Sequence, residues 1–368
     1  MKRIDVLVLA AFIMVLTLSS CEKEGAAANH MNSANGKSAG LAAQAVLQPN
    51  YVYTLAGNPD KFDQDDGKFD QAGFMSLDQM VADNGYLYGI DAYKIRKIRI
   101  NDSTVTTLAG AAGGGGSIDG LGGQAAFLQP TGIALGPDGN LYVADFIHVR
   151  KVTKEGLVTT IAGSTYGNQD GPANTAKFSR LVAIAVCKDG AIYVIDVVGP
   201  FGKEDYQIRK ITPSGMVSTL VKAGTNGSPP SSWGIDALAI APNGTAYASG
   251  VGIFKVSSTG QVTTINNDIV ANGHSLLALD DGTLFVSSQN QIKKVSATGS
   301  VSVFAGLAKM DNFGRPAEGP ADSIDLHAPG GLTIYNNILY FSVHPSFYGD
   351  PGFPSQLGHV IQMISLAN

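Results

Sequence analysis

From Tyr51 onward, apolar and polar positions alternate in short runs, and most runs end in a glycine-bearing turn. Alternation with period two is the pattern of a half-buried β-strand, whose successive side chains face opposite sides of a sheet. The segment from Ile133, IALGPDGNLYVADFIHVRKVTKEGLVTTIAG, holds several such runs split by Pro-Asp-Gly and Lys-Glu-Gly turns. No long run with helical spacing interrupts them, and 45 glycines with 16 prolines make long helices a poor fit.

The pattern repeats. VADNGYLYGIDAYKIRKIRINDSTVTTLAG begins at Val81, IAVCKDGAIYVID at Ile184 and LAIAPNGTAYASGVGIFKVSSTGQVTTI at Leu238. LLALDDGTLFVSSQNQIKKVSATGSVSVFAG begins at Leu276, and a last copy runs from LTIYNNILYFSV at Leu332 to a final HVIQMIS. The glycines closing the first three Ala-Gly turns, Gly57, Gly110 and Gly163, are spaced 53 and 53 residues apart. Each unit reads as strands a, b, c and d with an Asp/Asn-Gly turn between a and b. Four short antiparallel strands in each of six units predict an all-β fold, a six-bladed β-propeller, because a closed ring protects the edges that an open stack would expose. The last copy stops after strand c. The first folded run, YVYTLAG at Tyr51–Gly57, matches the closing strands TVTTLAG, LVTTIAG and SVSVFAG of other copies. It is therefore expected to be the missing fourth strand of the last blade, pairing with Val360–Ile364 and closing the ring.

These residues resemble the NHL-repeat family. The resemblance is carried by PTGIALGPDGNLYVAD from Pro130, by the Ile-Arg-Lys and Val-Arg-Lys tripeptides and by the VTTLAG-type closing strand, and it extends over nearly all of 51–368. It implies the propeller architecture. The family includes binding platforms, and its six-bladed relatives include lactonases and lyases that use a metal in the central channel.

Residues 1–20 have a positive start, Met1-Lys2-Arg3, and an apolar run from Val6 to Leu18, too short to span a membrane comfortably and shaped like a secretion signal. The run ends in Leu18-Ser19-Ser20-Cys21, which resembles a bacterial lipobox, so Cys21 is the expected lipidation site. The following Cys-Glu-Lys-Glu resembles export signals of Bacteroidetes surface lipoproteins. Residues 21–48, rich in Ala, Asn, Gly and Ser, read as a flexible tether, and 49–368 as the propeller. The expectation is an exported protein, anchored by lipid to a bacterial membrane at the outer membrane or cell surface.

A net charge of −5 with only 15% charged residues argues against a nucleic-acid partner, which wants a basic surface. The only other cysteine, Cys187, lies in an apolar stretch and has no partner for a disulfide.

Strand b ends in Asp91, Asp145 and Asp196 in blades 1 to 3, where strand c carries Arg96, Arg150 and Arg209. In blades 4 to 6 the same positions hold Gly250, Ser288 and Val343, and Phe254, Lys293 and Gln362. Aspartate and arginine vanish together, which favours an ion pair within each blade that holds the b–c hairpin. A loop before strand a carries Asp66-Gly67, Asp119-Gly120, Asp170-Gly171 or Glu318-Gly319, with Phe74, Phe127 and Phe178 in the same zone in three cases. This reads as a turn with an aromatic plug between blades, absent from blades 4 and 5.

A catalytic zinc wants three converging protein ligands. His274 and His327, just before a strand a, are weak candidates; no histidine occupies the matching position in blades 2, 3 and 4. Asp63-Gln-Asp-Asp-Gly67 lacks the downstream glutamate of a calcium loop. No GxSxG elbow, phosphate-binding loop, HExxH or EF-hand is present. Two Pro/Gly/aromatic inserts between strands b and c, Val197 to Tyr206 and His344 to Gly358, would crown the ligand-facing side. The sequence therefore points to a binding platform for a protein or carbohydrate, with no cofactor. The alternative is a metal-dependent hydrolase or lyase, lactonase-like or amidating-lyase-like, with calcium or zinc in the channel.

Overall fold

A computed structural model describes residues 47–111, 113–200, 202–225, 235–270, 275–308, 316–344 and 357–366. The chain divides into two units, Met1–Lys37 and Ser38–Asn368, and the first lies outside the described residues. So do Cys21, the signal segment and all of the tether but its end. The described residues contain no α-helix, only one 3-10 turn at Gly122–Gln124, and no helix long and apolar enough to cross a membrane.

The strands form six small antiparallel sheets, the blades of the propeller. In blade 1, strands a to d are Leu77–Asp83, Tyr86–Asp91, Lys94–Arg99 and Thr104–Ala109. Blade 2 runs Pro130–Leu135, Leu141–Asp145, His148–Val152 and Leu157–Ala162, and blade 3 Leu181–Val186, Ile192–Val198, Asp205–Ile211 and Met216–Lys222. Blade 5 runs Leu276–Ala278, Leu284–Ser288, Gln291–Val295 and Val301–Ala305. Blade 4 has Ala237–Ile240, one unbroken stretch Ala246–Val256 where the other blades have two strands and a turn, and Val262–Val270.

Blade 6 draws on both ends of the domain. Pro329–Tyr335, Ile338–Val343 and Val360–Ser365 are its first three strands, and Tyr51–Ala56 is its fourth. Val52 faces Ile364, Tyr53 faces Met363 and Thr54 faces Gln362. The ring is closed by the strand that opens it, as the interrupted repeat requires.

The acid-Gly loops add a fifth, two-residue strand outside strand d in four blades: Gly67–Lys68, Gly120–Leu121, Gly171–Pro172 and Gly319–Pro320. Among the described residues blades 4 and 5 have none, consistent with the missing loop in their sequences. The core lies between blades rather than within them. Val52 and Ile364 pack with Phe285, Ile292 and Ala305 of the preceding blade, while Leu55, Ile361 and Met363 pack with Leu77, Met80 and Leu87 of the following one. Each sheet is too small to bury its faces alone, so stability comes from stacking neighbours around the ring.

Candidate functional site

Three buried arginines organise the loops at one face. Arg96 Nη1 lies 2.6 Å from Asp91 Oδ2, Arg150 Nη1 2.8 Å from Asp145 Oδ2, and Arg209 Nη1 2.9 Å from Asp196 Oδ2. The other end of each guanidinium meets the loop acid: Asp66 at 3.1 Å, Asp119 at 2.8 Å and Asp170 at 2.6 Å. The plane of each rests on the loop phenylalanine, Phe74, Phe127 or Phe178, with centroid distances of 5.3, 5.4 and 5.1 Å. Two features that the sequence presents separately are one device. The Asp-Gly loop supplies the second carboxylate and the aromatic floor for the strand-c arginine, and Asp119 and Asp170 also accept the backbone N–H of Thr160 and Thr219 on strand d.

The acids at the two ends of the arginine live in different surroundings. Burial pushes the Asp91 and Asp196 carboxyls up, opposed by backbone N–H groups and the arginine. Burial also works against ionised Asp119 and Asp170, but the Thr160 and Thr219 hydrogen bonds and the arginines hold both below the usual carboxylate range.

In blade 6 the device is rewritten without charge on strand c. Glu318 Oε1 accepts the Thr54 N–H at 2.9 Å, and Gln362 Nε2 donates to the Ala317 carbonyl at 2.9 Å.

The free oxygen of each strand-b aspartate fixes the turn into strand a. Asp91 Oδ1 accepts the N–H groups of Met75 and Ser76, Asp145 Oδ1 those of Leu128 and Gln129, and Asp196 Oδ1 those of Ser179 and Arg180. The residue at the end of that turn, and the one two further on, then look into a shared cavity. Ser76 and Asp78, Gln129 and Thr131, and Arg180 and Val182 all line it. The cavity is about 830 Å³, within the range of small-molecule sites, and sits at one mouth of the central channel. Gln79, Asp236, Phe62 and Tyr93 complete much of its wall, the last two rings being 37% and 42% exposed. The channel is narrower, about 190 Å³, and is lined by strand-a residues of all six blades, mostly aliphatic.

The histidines fall differently from the sequence candidates. His274 lies outside the described residues. His327 is buried in the turn before strand a of blade 6, and its Nδ1 stands 4.0 Å from Asp325. The structure instead gathers His344, His359 and Asp78, with one ligand-type atom of each inside a 4.8 Å circle, the only such group among the described residues. Neither histidine was distinguished by spacing along the chain. The cue is the hairpin: Val343 pairs with Val360, so the residues just beyond them, 344 and 359, must meet. The two rings stack at 4.2 Å.

One nitrogen of each ring is already engaged. His359 Nδ1 accepts the Leu77 N–H at 3.0 Å, so that nitrogen is unprotonated. His344 Nε2 lies 3.0 Å from the Leu77 carbonyl, which can only accept, so that nitrogen carries the proton. Two imidazoles of blade 6 thus grip both backbone polar groups of one residue, Leu77, at the start of strand a in blade 1. A metal bound through these two nitrogens would have to displace both hydrogen bonds, so as they stand they serve the Leu77 backbone. The loop acids Asp65 and Asp66 are likewise occupied, by Lys61 and by Arg96.

Burial, with the neighbouring His344 ring, pushes His359 down to about 3 from an ordinary 6.5. Between those values the unfolded chain binds a proton that the folded chain refuses. This contribution to stability is complete above about pH 6.5 and is lost as pH falls toward 3. A His359→Asn variant keeps an acceptor near Nδ1 but cannot titrate. Urea unfolding across that range should show the parent losing stability relative to this variant, by on the order of a few kcal/mol; parallel curves would exclude the seam histidine as the cause.

Comparison with known proteins agrees with the architecture. An NHL repeat model matches residues 127–148, strands a and b of blade 2 with their approach. No curated protein matches the sequence. Among solved structures, an auxiliary nutrient binding protein from Bacteroides thetaiotaomicron is similar at 13% identity and a TM-score of 0.60, over 85% of this chain and 76% of that one. Another from Bacteroides ovatus is similar at 16% and 0.57, over 86% and 77%. A gluconolactonase from Xanthomonas campestris is similar at 14% and 0.53, over 86% and 89%. At such identities the likeness is one of fold. The chain is a six-bladed β-propeller that carries an NHL repeat.

Proposed function

We propose that this protein is an exported, lipid-anchored binding platform that holds a carbohydrate in the cavity at the channel mouth. The observation that carries the reading is the construction of that cavity. Three blades use the same buried Asp–Arg–Phe device to hold the same turn, yet the side chains that the turn presents differ: Ser76 and Asp78, Gln129 and Thr131, Arg180 and Val182. A rigid scaffold with varied polar groups on its inner edge is what ligand recognition needs. Half-exposed Tyr93 and Phe62 offer flat apolar faces for a sugar ring, while the amides and carboxylates around them suit its hydroxyls. The structural likeness to two Bacteroides nutrient binding proteins supports a binding role.

The reading is tested by affinity electrophoresis through gels containing soluble polysaccharides. At least one polysaccharide should retard the parent, and Tyr93→Ala and Gln129→Ala should each weaken the retardation about tenfold without changing the melting temperature. Retardation unaffected by both substitutions would move the ligand away from the mouth.

A further inference from the structure

We propose that the mouth cavity selects an acidic saccharide, one whose carboxylate is paired by Arg180. The inference rests on the carbohydrate reading of the cavity and adds the charge of the ligand.

Five arginines lie among the described residues. Arg96, Arg150 and Arg209 are each held between two carboxylates, and Arg99 is paired with Asp102 at 2.6 Å. Arg180 differs from all of them. Its backbone N–H is fixed by Asp196 Oδ1 at 3.0 Å, but among the described residues its guanidinium has no hydrogen bond, ion pair or aromatic ring beneath it. The scaffold does not need arginine at this place. The same turn in blades 1 and 2 is made with Ser76 and Gln129, bonded to their aspartates in the same way. A cation that the fold does not use, on a turn that the fold holds rigidly, in the wall of a ligand-sized cavity, is placed for a partner from outside.

The partner's charge follows from the rest of the wall. A guanidinium fork pairs with a carboxylate or a phosphate. Asp78 and Asp236 stand in the same cavity and repel a dianion more strongly than a monoanion. One carboxylate amid several hydroxyls satisfies Arg180 while leaving Gln129 and Thr131 to the hydroxyl groups. That is the chemistry of a uronic acid or another carboxylated sugar.

The test uses the purified protein and Arg180→Gln against an immobilised panel of neutral, carboxylated and phosphorylated glycans, with affinities of the bound members measured by calorimetry. The parent should bind carboxylated glycans roughly tenfold or more tighter than their methyl esters, and Arg180→Gln should abolish that preference. Arg180→Lys should retain part of the preference, which separates charge recognition from a change in cavity shape. Three results would overturn the proposal. Neutral glycans bound equally by parent and variant would leave the carbohydrate reading standing without its acidic preference. A preference for phosphorylated members would replace the carboxylate. Binding of none of the three classes would remove both readings.

Discussion

Deleting Tyr51–Gly57 will yield a protein that aggregates or is digested rapidly, although the segment lies at the edge of the fold and outside every cavity described above. Tyr51–Ala56 pairs with Val360–Ser365 on one side and with Gly319–Pro320 on the other. Without it, blade 6 exposes a row of unpaired backbone groups, a template for intermolecular pairing. The strand also serves two interfaces at once. Val52 packs toward blade 5, while Leu55 and Ala56 pack toward blade 1, and all three are almost wholly buried. Exposing a valine and a leucine forfeits roughly 1.5–3 kcal/mol each before any hydrogen bond is counted. That loss alone is a large share of the roughly 5–15 kcal/mol by which a domain is stable. A milder version, Val52→Asp, places an unpaired carboxylate in the same core and should act in the same direction. Size-exclusion chromatography and limited proteolysis read the outcome. A deletion protein that melts and elutes like the parent would show that the ring does not depend on its clasp.

Arg150→Ala should cost about 3–5 kcal/mol, the range for removing one partner of a buried pair. The arginine and Asp145 are both fully buried, so the substitution strands a carboxylate away from water. Two backbone N–H groups and the Ser117 hydroxyl still reach Asp145, which holds the cost within that range. Asp119 loses its cation, and Phe127 loses the plane that covers it. The contrast is Arg99→Ala. Its partner Asp102 is at the same kind of distance, 2.6 Å, but both side chains are about half exposed, at 48% and 49%. Water competes for that pair, and its loss should cost far less than the loss of Arg150. Replacing Arg150 and Asp145 together by Met and Leu should cost less than Arg150→Ala, because no charge is left buried. Urea unfolding of the three variants measures the order. Equal effects of Arg150→Ala and Arg99→Ala would mean that the buried device contributes no more than a surface contact.

Much of this architecture was legible because a repeat announces itself. The 53-residue spacing of Gly57, Gly110 and Gly163 and the unfinished last copy together locate Tyr51–Gly57 in blade 6. The pairs on one hairpin, such as Asp145 with Arg150, are also visible, since their strands are adjacent in the chain. The second carboxylate is hidden. Asp119 reaches Arg150 from a loop 31 residues upstream, and nothing in a period of alternating strands says that the loop folds back over strand c. The seam histidines are hidden for a related reason. His344 meets Leu77 across the joint between the last blade and the first, a separation of 267 residues, and periodicity describes units rather than the joints between them. Arg180 is least legible of all. In the sequence it is one basic residue in a loop, and its meaning comes from comparison with Ser76 and Gln129 once the shared turn is known.

On this reading the ligand sits on the turns held by Asp91, Asp145 and Asp196. Hydrogen exchange of the protein with and without a glycan that retards it tests this directly. Added protection is expected at amides 75–79, 128–131 and 179–182, with little change in blades 4 and 5. A second hollow, between blades 4 and 5, is lined by Asn243, Thr245, Lys255 and Asp280. Protection confined to that hollow, with none at the three turns, would place the ligand away from the channel mouth.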